Sequence, residues 1–364
     1  MRTTTSLDAA TLEKLISAAV AAPSQHNTQP WRYRLDPDTT TVEVRAAPER
    51  GLRHTDPVAR GLHVSVGAAL FNLRVAATHF GWHPVVRLLP RPAEPGLLAT
   101  VRLAGPRTAG RLHRPDLYDA VWRRHSSRFP FTGPPVPARV LAEIAEAATA
   151  EGALLTFPGP TEVSRIMRLT AEAEHHSAAD PARSAETRDW VREGAPDGLP
   201  GAALGPYDAM GRLPVRDFAG IHSASRPRSA AFERRPVIGV LATAHDTRAD
   251  WLRAGQGLQH ALLVATAHHV RTSLFSQAVE WPDLRWALRD PRTGRRHVQM
   301  LIRFGHGPDG PATPRRPARD VLDVDEAQDV RAGGRPRAVT GRGMAAPCSA
   351  QGSARRYRSE RPAP

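Results

Sequence analysis

One stretch of this chain occurs twice. Gly67-Ala68-Ala69-Leu70 through Ala76-Ala77-Thr78 realigns on Gly255-Gln256-Gly257-Leu258 through Val264-Ala265-Thr266, an offset of 188 residues. Each copy reads as a helix opened by glycine and rich in Ala and Leu, and each stands at the corresponding point of its half. A length of 364 residues exceeds what one compact core usually supports. The expectation is two lobes or two intimately fused repeats.

Charge and cysteine bound the function. Lys14 is the only lysine among 50 basic residues, so arginine richness is background and not a selected trait. From Arg331 onward eight arginines face one acid, Glu360, so +7 of the formal +14 falls in the C-terminal stretch. The remainder is mildly basic and carries no CxxC pairs or clustered aromatics, so no nucleic-acid partner is expected. Cys348 stands alone, which leaves no internal disulfide and no thiolate cluster for zinc. No apolar leader or run of 18 apolar residues is present, so the expectation is a soluble, cytoplasmic protein that does not enter a membrane.

Along the chain, periodicity predicts a first helix over 7–20 with Asp8 as N-cap and Pro23 as stop. A strand pair follows over 32–46 around Asp36-Pro37-Asp38, then a helix over 64–80 and strands at 85–89 and 97–103. A Pro/Gly/Arg-rich link covers 105–115. Helices are expected near 117–124, over 138–150 and through a charged region at 161–190, with strands at 236–244 and 298–304. Between them, 194–214 is rich in Gly and Pro and reads either as a cover over a site or as a surface excursion.

Three motifs carry chemistry. The first is the loop Pro23-Ser24-Gln25-His26-Asn27-Thr28-Gln29-Pro30-Trp31. The second is Arg124-His125-Ser126-Ser127-Arg128, and the third Pro314-Arg315-Arg316-Pro317. A phosphate dianion wants guanidinium donors and a hydroxyl, which Arg124, Ser126 and Arg315 can supply. A ring edge bearing carbonyl and N–H groups is matched by Asn27, Gln29 and Arg128.

These motifs resemble those of the nitroreductase-like FMN flavoproteins. In that family the RHSxR-type opening holds the flavin phosphate and ribityl chain, and a PSxxNxQPW loop from the opposite protomer contacts the isoalloxazine ring. Their order differs here. The PSxxN loop comes first, with only Arg2 as an arginine before it, and no such loop follows Arg124. Each half keeps what the other lacks, an arrangement that resembles the two-repeat, single-chain Acg-type proteins of actinobacteria from about residue 7 to 325. Ser273-Leu274-Phe275-Ser276-Gln277 resembles the family's SPLSQ-type segment, with Phe275 at a position that usually holds a small or aliphatic residue.

The resemblance implies an α+β fold of twin nitroreductase-like repeats in one chain, a pseudo-dimer with central mixed or antiparallel sheets flanked by helices. Residues 1–110 would form the first repeat, 111–325 the second with its cover over 194–214, and 326–364 a disordered basic tail. It implies FMN bound by Pro23, Ser24, Gln25, Asn27, Gln29, Arg124, Ser126, Arg128, Ser276, Gln277, Arg315 and Arg316, with no catalytic side chain because the cofactor carries the redox step. NAD(P)H would be the donor and a small nitroaromatic or quinone-like molecule the acceptor, the chain acting as a monomer. The rival reading is a non-catalytic protein that sequesters or stores FMN. Gly67 and Asn72 are expected to pack helices. His79/His83, His175-His176 and His268-His269 lack ligand geometry or carboxylate partners, so no metal is expected.

Overall fold

A computed structural model describes residues 7–105, 115–218, 229–289 and 296–323. The expected basic tail and most of the 105–115 link lie outside them.

The first helix, α1 (Ala9–Val20), starts where Asp8 accepts the Thr11 amide at 2.6 Å and buries Leu15, Ile16 and Ala18 to Val20. Antiparallel strands β1 (Trp31–Asp36) and β2 (Thr41–Ala46) flank the expected turn. Helix α2 (Arg60–His79) leads to β3 (His83–Leu88) and β4 (Leu97–Ala104). Pro84 is tolerated inside β3 because that strand forms a sheet edge.

Helices α3 (Pro115–Arg123) and α4 (Ala138–Ala150) precede β5 (Leu154–Thr156). The charged region expected as one stretch is two helices, α5 (Pro160–Ala179) and α6 (Pro181–Asp189). Asp180 divides them by capping the second at Ala182 N and Arg183 N, with Pro181 at its first position. Short strands β6 (Tyr207–Asp208) and β7 (Ser229–Ala230) pair with each other. Then come β8 (Val237–Thr243), α7 (Arg248–Ala267), β9 (Arg271–Phe275), α8 (Pro282–Ala287), β10 (His297–Gly305) and β11 (Leu322–Asp323).

Two sheets result, ordered β11-β1-β2-β4-β3 and β5-β8-β10-β9. The second is antiparallel throughout; the first is antiparallel except where β11 joins β1 in parallel. This is the expected α+β class with mixed and antiparallel sheets. The strand β11, near the end of the expected 111–325 unit, lies in the sheet of the first half, and Tyr33 N donates to Val321 O at 2.7 Å.

Helices α2 and α7 are buried on nearly all faces and form the centre of the core. They meet at Gly67 and Gly255, the two positions related by the 188-residue offset. A Cβ on Gly255 would lie 2.1 Å from Val64 O and 2.8 Å from Gly67 Cα. One added methyl on either side would force the backbones apart. Nearby, Phe71 stacks on His260 at 4.7 Å, and Gln259 donates to Asn72 Oδ1 at 2.7 Å. Asn72 also donates to Ala18 O at 2.9 Å, so Gly67 and Asn72 pack helices as expected.

Candidate flavin site

The loop 23–31 leaves α1 and makes a tight turn over Gln25–Asn27. His26, Asn27 and Gln29 all have left-handed backbones, with φ of 50°, 58° and 51°. That conformation is costly for side chains other than glycine and persists only where surrounding contacts fix it. The contacts are explicit. Ser24 Oγ accepts the Gln29 amide at 2.9 Å. The Asn27 amide donates to Gly198 O at 2.8 Å and Pro314 O at 2.9 Å, and its oxygen accepts from Arg315 Nη1 at 2.9 Å. Gln29 donates to Pro196 O at 3.0 Å and accepts the Arg316 amide at 2.9 Å. The two amides expected at a ring edge therefore clamp this loop to the 196–198 and 314–316 segments.

Arg124 directly follows α3, and Arg315 comes from the chain after β10. Arg124 is deeply buried and Arg315 half-buried, and both reach Ala21 O only at 3.4 Å. Arg124 Nε and Nη1 and Arg315 Nε have no hydrogen-bond partner. Among the described residues neither forms an ion pair. Burial pushes Arg124 down to about 10; burial and then the Arg124 charge push Arg315 down to about 9, so both remain cationic at neutral pH. Two uncompensated guanidinium groups in one place are expensive unless an anion joins them. Arg316 is half-buried, with its side chain on Asp320 O.

Beside this pair lies a cavity spanning about 1020 Å³, open mouth included. Of the expected residues, Pro23, Ser24, Gln25, Ser126, Arg128, Ser276 and Gln277 line it; Asn27, Gln29, Arg124, Arg315 and Arg316 do not. Ser126 is placed by a bridge to Thr272 beside β9. Arg128 donates to Ala203 O at 2.9 Å and lies 5.0 Å from the Phe218 ring. Gln25 donates to Glu280 Oε1 at 2.7 Å, and Gln277 to Pro214 O at 3.1 Å.

Among the described residues four arginines line the cavity, Arg60, Arg128, Arg216 and Arg303, and no carboxylate does. Sequence reasoning missed Arg60, Arg216 and Arg303, since one arginine among so many carries no signal. Arg216 donates to both Glu280 oxygens at 2.6 and 2.7 Å, and Phe218, Phe232 and Phe275 add ring surface. His26 also lines the cavity; its edge meets Phe218 at 5.6 Å and neither ring nitrogen has a partner. Burial, then the charges of Arg216 and Arg128, hold it well below the ordinary imidazole range.

The segment expected as a cover divides its work. Within 194–214 only Leu213 lines the cavity, and the wall continues through Val215, Arg216 and Phe218. The part near Asp197 grips the motif loop instead: Asp197 pairs with Arg50, which also donates to Thr28 O at 2.6 Å, and with Arg192 at 2.8 Å. No helix among the described residues is long and apolar enough to cross a membrane, and none of their side chains form a group of three metal ligands.

An α+β chain with paired cations beside a cavity fits a class that binds an anionic, flat ligand. Comparison with known proteins narrows the class. No family profile matches. The chain is 32% identical over 330 residues to "Putative NAD(P)H nitroreductase Rv3131" of Mycobacterium tuberculosis strain H37Rv, covering 88% of this chain and 93% of the relative. It is 29% identical over 332 residues to the acg nitroreductase-named protein of the same strain, covering 88% and 97%. The chain therefore belongs to the nitroreductase-like superfamily, alongside these single-chain mycobacterial relatives. Solved structures are more distant. A variant of the FMN- and NADPH-dependent nitroreductase NfnB from a Sphingopyxis strain aligns at TM-score 0.38 and 18% identity, over 58% of this chain and 99% of that one. An FMN-bound nitroreductase from Desulfitobacterium hafniense aligns at 0.37 and 15%, over 58% and 100%.

Proposed function

We propose that this chain binds one FMN, with its phosphate at Arg124 and Arg315 and its ring in the adjoining cavity, and uses it to pass electrons from NAD(P)H to a nitroaromatic or quinone-like acceptor. The observation that carries the reading is the buried Arg124 beside the half-buried Arg315, with unused N–H donors and no acid paired with either among the described residues. A phosphate dianion supplies both the charge and the acceptors they lack. FMN held there would supply the hydride-accepting and electron-releasing chemistry, so no protein nucleophile is required.

The residues of the chain then have separate tasks. Ser126 offers a hydroxyl between the phosphate end and the ring end. Arg128, whose charge no carboxylate among the described residues neutralises, would hold the pyrimidine edge and favour electron-rich forms there. Ser24, Gln25, Ser276 and Gln277 shape the ring pocket, while Asn27, Gln29 and Arg316 hold the loop that carries the first two.

Internal duplication supports a single-chain pseudo-dimer. Gly67 meets Gly255, each the other's counterpart at the 188-residue offset, as equivalent positions do across a two-fold axis. The chain is then a monomer in function. Its single flavin should appear as absorbance equal to about one FMN per chain, and protein that stays colourless after FMN is added refutes the reading.

A second reading, a protein that sequesters FMN, is favoured by the wall from Leu213 to Phe218, which Arg216 ties to Glu280. Anaerobic mixing with NADPH separates the two. Rapid bleaching of the flavin band supports turnover, and persistent colour supports sequestration.

A further inference from the structure

Three arginines line the cavity beyond those the flavin reading employs: Arg60, Arg216 and Arg303. Two are already matched. Arg60 donates to Gln299 O, Gln299 Oε1 and Val279 O, and Arg216 is held by Glu280. Arg303 is different. It is 1% exposed, near the C-terminal end of β10, with its guanidinium 3.9 Å from the Phe131 ring and 5.2 Å from that of Phe232. Nη2 donates to Phe129 O at 2.5 Å. Nε has no partner, and Nη1 lies 3.3 Å from Glu233 Oε1 without hydrogen-bond alignment. The other Glu233 oxygen accepts the Phe131 amide at 2.9 Å. A cation that is paired with Glu233 yet keeps spare donors thus stands among aromatic rings, in a cavity with no acid among its described lining residues.

We propose that the acceptor this cavity takes is a flat aromatic acid, its carboxylate held by Arg303 and its ring against Phe232 and Phe275. The proposal deepens the flavin reading and rests on it. A guanidinium fork fits a carboxylate in charge and in the spacing of its donors. A neutral amide of the same shape gives the unused Nε and Nη1 donors no charged partner, and sites built on buried polar groups reject such analogues most strongly.

The test is calorimetric titration of the protein as purified, without reductant, with 4-nitrobenzoate and with 4-nitrobenzamide. The acid should bind roughly tenfold tighter or better. Arg303→Met should erase the preference and Arg303→Lys should keep part of it, with melting temperature and flavin content showing that each variant is folded. Equal affinities, binding of neither probe, or a preference that survives Arg303→Met overturns the proposal. If Arg303→Met does not fold, the two probes on the unaltered protein and on Arg303→Lys still decide. Flavin absorbance is recorded separately, so a colourless protein refutes the cofactor reading by its own measurement.

Discussion

Asn27 shows how far a residue's chemistry and its task can differ. Its amide reads as a partner for a ring edge, yet it bonds Gly198 O, Pro314 O and Arg315 from a left-handed backbone. Donor types are visible in a sequence, but their targets here are main-chain carbonyls, which every residue has and no composition marks. Arg124 and Arg315 stand out in the sequence because an anion site needs particular side chains, and the proposed phosphate site rests on them. Arg124→Met sets a sharp expectation. Without flavin, removing a buried cation that has no acid should leave stability unchanged or raise it. Flavin affinity should fall about 10- to 100-fold, as expected for lost charge-assisted hydrogen bonds. Paired melting curves and flavin titrations check both signs.

His26 gives a pH expectation. It is neutral in the fold, as are His63, His125 and His297, each held low chiefly by burial. The unfolded chain binds protons at these imidazoles once pH drops below about 6.5, and the folded chain resists. Stability is therefore fully present above that value and is lost as pH falls, by up to about 1.4 kcal/mol per pH unit for each titrating group. Asp56 and Glu174, pushed up by burial, act in the opposite sense and blunt the slope. His26→Asn, which tolerates the left-handed backbone, should flatten the fall in denaturation midpoint between pH 7.5 and 5.5 relative to the unaltered chain.

At the scale of elements, periodicity located α1, α2 and α4 within a few residues, because burial of one face or of all faces leaves a pattern, whereas the second repeated helix, read as 255–266, begins seven residues earlier at Arg248. The division at Asp180 was missed, although its N-cap and Pro181 are a helix-start signal. Segment 190–218 has no periodicity to read, and its contacts depend on where distant chain lies. The α2–α7 contact is the element most sensitive to change. Gly255→Ala should cost on the order of 3–5 kcal/mol, since backbone and not a pliable side chain stands 2.1 Å from the new carbon. Gly96→Ala, with nothing within 4 Å, should change stability by less than about 0.5 kcal/mol. Chemical denaturation of the two variants tests the contrast.

For the whole molecule, pairing of β11 with β1 joins residues almost 290 positions apart, Tyr33 with Leu322. Nothing local specifies such a partner, which is why the sheet's last strand went unread. The consequence is a truncation test. A chain ending at Val324 keeps β11 and Arg315 and should retain flavin and its melting temperature. A chain ending at Ala312 loses both, uncovers the β1 edge, and should fail to hold flavin.

The contacts beside the paired glycines carry one more consequence. Under the duplicated reading, position 71 corresponds to 259 and position 72 to 260, so the Phe71–His260 stack and the Asn72–Gln259 hydrogen bond are mirror images of one contact. A homodimer must write the same residue on both sides of its axis. A fused chain is free of that rule, and the reading makes the stack of rings one copy of the seam and the bond between amides the other. On that reading, joining the halves would have let the two sides of a single interface diverge, the same licence that would allow one ligand site to be kept and its twin to be abandoned.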